Sequence, residues 1–125
     1  MDKIERLVMV VDDDESVRDA FYLALVDEPY RVVTCSSGDE AITAAGSVRP
    51  DLVFLDLKMP GKDGVETMRG LFAVDPTMRI YIVTAFAEEF MDRLRDARNS
   101  GLSFQIVSKP INDEQIRLIA AATLG

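Results

Sequence analysis

Short uninterrupted apolar runs recur along the chain, each followed by a longer stretch whose apolar residues fall at helical spacing. LVMVV, at 7–11, contains nothing polar and reads as a buried strand. Behind it, Val17, Phe21, Ala24 and Leu25 share one face of a helix that Asp14 can cap, and Pro29 lies just beyond its end. RVVTC, at 31–35, is a strand with polar interruptions. Ser37 and Glu40 stand at capping-box spacing and open a short helix through Ala41, Ala45 and Val48. Arg49, Pro50 and Asp51 then turn the chain into an apolar run that ends in Asp56 and breaks at once into a Pro/Gly turn.

Val65, Met68, Leu71 and Phe72 repeat at helical spacing until Pro76 stops them. A strand follows at 79–84, then a helix with Phe90, Leu94 and Ala97 on its buried stripe and Gly101 as its C-terminal cap. The run at 104–108 is the last strand. It leads through Lys109 and Pro110 to a helix opened by Asn112 and Gln115, with Ile116, Ile119, Ala120 and Thr123 inward.

Strand and helix thus alternate five times, which predicts an α/β fold: a doubly wound, five-stranded parallel sheet with helices on both faces. LVMVV and LVFL carry nothing polar, as central strands should, whereas RVVTC and FQIVS carry the polar groups expected at edges. That distribution fits the strand order 2-1-3-4-5, which is the order expected. At 125 residues and 48% apolar, the chain is expected to form a single domain over 1–125, without a second, output domain.

Composition narrows the chemistry. A formal charge of −8 argues against a direct nucleic-acid surface, which needs a basic patch. No apolar run approaches the roughly 18 residues of a membrane span, and no signal-like segment opens the chain, so a cytoplasmic location away from membranes is expected. The single cysteine, Cys35, lies in a strand-like run and reads as a small core residue. Histidine is absent, so carboxylate, hydroxyl and ammonium groups must carry any chemistry.

Those groups sit at strand ends. The first strand ends in Asp12, Asp13 and Asp14, the third in Asp56, the fourth in Thr84 and the fifth in Lys109. In an open parallel sheet these ends share one edge, where ligands bind. Asp14 is read as a helix cap. Asp12 and Asp13, with Asp56 from the neighbouring strand, offer hard oxygen donors without nitrogen or sulfur, which suits Mg²⁺, with Mn²⁺ as a substitute.

The acidic pair Asp12 and Asp13, Asp56 followed by Met59-Pro60-Gly61 and Asp63-Gly64, Thr84-Ala85 and Lys109-Pro110 together resemble a response-regulator receiver domain, the phosphoacceptor module of two-component signalling. That resemblance covers essentially the whole chain and implies a flavodoxin-like fold. It implies that Asp56 accepts a phosphoryl group from the phosphohistidine of a sensor histidine kinase or phosphotransfer protein, or from acetyl phosphate. Asp13 and Asp56 would hold Mg²⁺ directly, Asp12 through water, and Lys58 through its backbone carbonyl. Thr84 and Lys109 would contact phosphoryl oxygens, Ala85 would leave room for the group, and Lys58 and Phe86 would tune water access. Pro60, Gly61, Gly64 and Pro110 would shape the loops, with the Lys109–Pro110 bond cis. The chain would be a signalling phosphoacceptor that assists its own phosphotransfer and autodephosphorylation rather than an enzyme, and would hand its signal to an output protein or domain.

The chain departs from the family pattern on the face that usually transmits activation. Ile106 stands where the family carries an aromatic residue, Phe104 lies two residues earlier on the same strand face, and the segment from Thr84 to Lys109 is a few residues longer than usual. Three other readings compete. An aspartyl-phosphate hydrolase would place a second acid where this chain has Lys58, a flavin-binding domain would suffer repulsion from the acidic first loop, and a non-phosphorylated interaction module would not need the intact site.

Overall fold

The computed structural model describes residues 5–125. Strands β1 (Arg6–Val11), β2 (Tyr30–Cys35), β3 (Leu52–Leu55), β4 (Arg79–Thr84) and β5 (Gln105–Ser108) alternate with helices α1 (Glu15–Leu25), α2 (Gly38–Val48), α3 (Gly64–Val74), α4 (Met91–Asn99) and α5 (Asp113–Leu124). A 3₁₀ turn (Glu88–Phe90) precedes α4. The strands form one parallel sheet in the order β2-β1-β3-β4-β5, which fits the polarity of the runs.

The pleat sends alternate residues of each strand to opposite faces, so the sheet needs two apolar covers. Met9, Val11, Val53, Leu55, Ile80 and Ile82 pack with buried residues of α2, α3 and α4. Val8, Val10, Leu52, Phe54 and Val83 pack with Phe21, Ala24 and Leu25 of α1 and Ile116, Ala120 and Leu124 of α5. Phe54 is the centre of the second layer, with Phe21 at 5.1 Å and Tyr81 at 6.2 Å between ring centroids. Burial of such a ring contributes roughly 1.5–3 kcal/mol.

Most helix ends follow the sequence signals. Asp14 caps α1, and Asn112 and Gln115 close a full capping box on α5. Leu102 and Gly101 donate backward to the Ala97 and Arg98 carbonyls, completing a Schellman end on α4. The box expected at α2 is only half formed: Ser37 accepts from the Glu40 N–H, but the Glu40 carboxylate takes the Ser36 hydroxyl instead. β5 is shorter than its apolar run, because Phe104 lies ahead of the first paired residue, Gln105. Cys35 is buried, and burial with the nearby Glu40 charge pushes its thiol up to about 11, as befits a core residue.

Candidate phosphoacceptor site

Register builds the site. Val11 pairs with Leu55, so the residues that follow them, Asp12 and Asp56, leave adjacent central strands side by side. Thr84 pairs with Ser108, which places Lys109 one residue past the pairing, and the Lys109 N–H donates to the Thr84 carbonyl at 2.9 Å. Asp12, Asp56 and Thr84 are 4%, 6% and 1% exposed, three of the four buried polar residues among those described.

The carboxylates of Asp12, Asp13 and Asp56 bring oxygens within 4.8 Å of one another. Asp13 faces solvent while the other two are buried, so the cluster opens outward. Lys109 Nζ donates to Asp12 Oδ2 at 2.9 Å and to Asp56 Oδ1 at 3.5 Å. Burial lowers the Lys109 ammonium, but its hydrogen bond to Asp12 and the charges of both acids outweigh that and raise it overall. Burial, reinforced by the charge of Asp12 and only partly offset by Lys109, raises the Asp56 carboxyl to about 6. At neutral pH Asp56 is therefore an ionised, poorly solvated carboxylate, the state a nucleophile requires.

Local bonds hold the two acidic loops. The Asp14 N–H donates to Asp12 Oδ1 at 3.0 Å, and Arg18 reaches back to the Asp12 carbonyl at 2.8 Å. Arg18 escaped the sequence reading because a basic residue on an amphipathic helix carries no sign of its target. After Asp56, Pro60 and Gly61 make an exposed turn with Gly61 at φ 73°, and Gly64 donates to the Leu57 carbonyl at 2.8 Å. A Cβ at Gly64 would collide with the Asp56 carbonyl and the Leu57 Cα, so this close approach of α3 demands glycine.

Around this centre lie the residues that follow Asp56 and Thr84 and those of β5. Thr84 Oγ1 accepts from the Phe86 N–H at 2.9 Å, leaving its own hydrogen to donate. Ala85 and Phe86 are exposed, and Lys58 Nζ sits 4.5 Å above the Phe86 ring and 3.4 Å from Glu89. Ile106 pairs with Ile82 and is half-buried. Phe104 is 3% exposed, lies under the Arg98 guanidinium at 4.5 Å and is four residues from the Thr84 pairing point at Ser108. At the rise of a strand that separates it from Thr84 by roughly 13 Å. Phe104 thus shares a core layer with Ile106 but not the space behind Thr84. The Lys109–Pro110 bond is cis.

An ion pair that sequence could not reveal joins Asp63 to Arg93, thirty positions apart, with contacts of 2.6 and 3.0 Å. Partial burial raises the Asp63 carboxyl, yet the bonds from Arg93 and from the Glu66 N–H outweigh it and hold the group below its usual range.

Comparison with known proteins agrees with this architecture. Residues 8–121 match the response regulator receiver domain. Sporulation initiation phosphotransferase F of Bacillus subtilis is 30% identical over 110 residues, 88% of this chain and 86% of that protein. The DNA-binding response regulator MtrA of Mycolicibacterium smegmatis is 38% identical over 85 residues, 68% of this chain but 37% of the relative. Among solved structures, the chemotaxis protein CheY4 of Vibrio cholerae superposes with a TM-score of 0.82 at 25% identity, covering 96% of this chain and 99% of that one. A strand order that sets two buried acids beside a lysine, with a family match over nearly the whole length, leads to one assignment: the chain belongs to the response-regulator receiver domains of two-component signalling.

Proposed function

We propose that this receiver domain is a phosphorylation switch in which Asp56 takes a phosphoryl group from the phosphohistidine of a partner kinase or phosphotransfer protein, or from acetyl phosphate. The observation that carries the reading is the buried Asp56 beside Asp12 and Lys109 at the ends of the two central strands. No histidine lies within these 125 residues, so the phosphohistidine donor lies outside them.

The donor set fits a hard divalent cation: carboxylate oxygens of Asp12, Asp13 and Asp56 converge, with no nitrogen or sulfur ligand among them. Asp13, Asp56 and the Lys58 carbonyl would hold Mg²⁺ directly, with Asp12 acting through water. When bound, the ion neutralises carboxylates that would otherwise repel the incoming phosphoryl group. The protein's own part is positioning and electrostatics. Lys109 lies within reach of an oxygen placed on Asp56, Thr84 has a hydroxyl hydrogen to offer, and the small Ala85 leaves space.

Beside the acidic pocket, between α1 and the start of α5, lies an apolar groove of about 380 Å³ lined by Val17, Ala20, Ala85, Pro110, Ile111 and Ile116. It is suited to an apolar helix face of the phosphodonor. Among the described residues no helix is long and apolar enough to cross a membrane, and the reading is of a cytoplasmic regulator. DNA binding is named for several relatives, among them MtrA, of which this chain spans 37%, and the −8 charge supports placing such contacts outside this domain.

Incubation with acetyl phosphate and Mg²⁺ tests the proposal. One phosphoryl group should appear by intact mass, and Asp56→Asn should abolish it. Asp13→Ala, or excess chelator, should reduce labelling at least about tenfold, the loss of roughly 1.4 kcal/mol or more of cation and transition-state stabilisation. Equal labelling in Asp56→Asn would overturn the assignment.

A further inference from the structure

Helix α4 is lightly anchored for an element next to the site. Of its nine residues only Leu94 and Ala97 are buried. Elements with little buried apolar surface move most easily, so the few polar ties that hold α4 decide its position. Those ties sit at its two ends. Near the C-terminal end, Arg98 donates to the Phe104 carbonyl at 3.2 Å and stacks on the Phe104 ring, which fastens α4 to the start of β5.

In its first turn Arg93 holds Asp63 through both guanidinium nitrogens, and Asp63 ends the loop that begins at Asp56. A second tie, Lys58 to Glu89, joins the same loop to the 3₁₀ turn, but both side chains are 53% exposed and such a pair contributes little. The Arg93 pair differs because it is bidentate, charge-assisted and 19% exposed on the Asp63 side. The Asp63 carboxylate is moreover oriented toward Arg93 by its own cap on α3: it accepts from the Glu66 N–H at 3.0 Å, and the Glu66 carboxylate accepts from the Asp63 N–H at 3.1 Å.

We propose that Arg93 is a strap through which rearrangement of the Asp56–Asp63 loop is passed to helix α4, swinging its first turn about the fixed end at Arg98 and Phe104. This rests on the phosphoacceptor reading given above and adds a route of transmission that needs neither an aromatic residue at position 106 nor the hydroxyl of Thr84. Loop and helix are then energetically linked, and by reciprocity whatever orders one orders the other.

The experiment records amide shifts of the whole chain with Mg²⁺ alone and with Mg²⁺ plus beryllofluoride, in wild type, Arg93→Gln, Asp63→Asn and Glu89→Gln. Asparagine keeps the cap on α3 while removing the charge that grips Arg93, so Asp63→Asn tests the strap without unfolding the helix. In wild type, beryllofluoride should shift amides at 57–63 and at 91–96. In Arg93→Gln and Asp63→Asn the response at 57–63 should persist while that at 91–96 falls below about a third of its wild-type size. Glu89→Gln should keep both responses. Without ligand, the 91–96 amides should exchange faster in the two strap variants than in wild type. An undiminished 91–96 response in both strap variants, or no response there in wild type, would overturn the strap. A wild-type loop at 57–63 that ignores beryllofluoride would instead overturn the phosphoacceptor reading itself.

Discussion

Lys109 places its ammonium 2.9 Å from Asp12 and 3.5 Å from Asp56, so the closer bond goes to the acid that does not receive the phosphoryl group in the proposed reaction. Asp56 is left with a burial cost that the lysine only partly offsets, and its carboxyl rises from 3.8 to about 6. The folded protein then binds this proton more tightly than the unfolded chain. Its contribution to stability is therefore present at low pH and is lost as pH rises from 3.8 through about 6. In chelator at pH 7.5, Asp56→Asn should be more stable than wild type by up to about 3 kcal/mol, and by roughly a third of that at pH 4.5. Urea titrations at the two pH values check this. Equal stability at pH 7.5 would mean that Lys109 compensates Asp56 fully.

Phe86 stands at the rim of the site, 43% exposed, with Lys58 Nζ over its ring. A cation held over an exposed ring gains roughly 0.5–1 kcal/mol, enough to bias ring and lysine toward one closed arrangement. In the proposed switch the pair would limit the approach of water to Asp56. Phe86→Ala should hydrolyse its acyl phosphate faster, by roughly threefold or more. Decay of phosphorylated protein after removal of the donor measures it, and an unchanged or longer lifetime would assign control of water access elsewhere.

In the proposed switch Thr84 would gain a charge-assisted hydrogen bond only when a phosphoryl oxygen is present, and only such a differential contact can shift a conformational equilibrium. Its Oγ1 already accepts from the Phe86 N–H, so movement of the threonine drags the backbone that follows. Ile106 is β-branched and half-buried, and Phe104 is pinned under Arg98, so neither suits a large rotamer exchange behind Thr84. Beryllofluoride should shift amides from Ala85 to Phe90 in wild type, Ile106→Val and Phe104→Leu, but not in Thr84→Val. Loss of those shifts in either core variant would return the signal to the side chain.

Gly64 tests the loop itself. An added methyl meets the Asp56 carbonyl and the Leu57 backbone, neither of which is the flexible end of a side chain. Gly64→Ala should cost about 1–3 kcal/mol, the usual penalty of overpacking, whereas alanine at the open helical position Gly46 should stabilise by up to about 1 kcal/mol. Urea midpoints of the two variants make the comparison.

Periodicity alone specified most of this fold. A continuous apolar run can be buried only between two covers, so LVMVV and LVFL had to be central, while the polar residues of RVVTC and FQIVS suited edges, and the observed sheet order fits that distribution. The strand-end placement of Asp12, Asp56, Thr84 and Lys109 was legible for the same reason, since parallel strands end together. Interactions set by side-chain reach across the fold were not legible. Glu40 forms half a capping box because Ser36 competes for its carboxylate, Phe104 falls outside β5, and Arg18 chooses the Asp12 carbonyl. The division of Lys109 between two acids, and the grip of Arg93 on Asp63, depend on distances between residues far apart in the chain. Those distances exist only once strands and helices have packed, so tertiary structure alone decided which charges meet, which acid keeps its burial cost, and which helix is tied to the loop after Asp56.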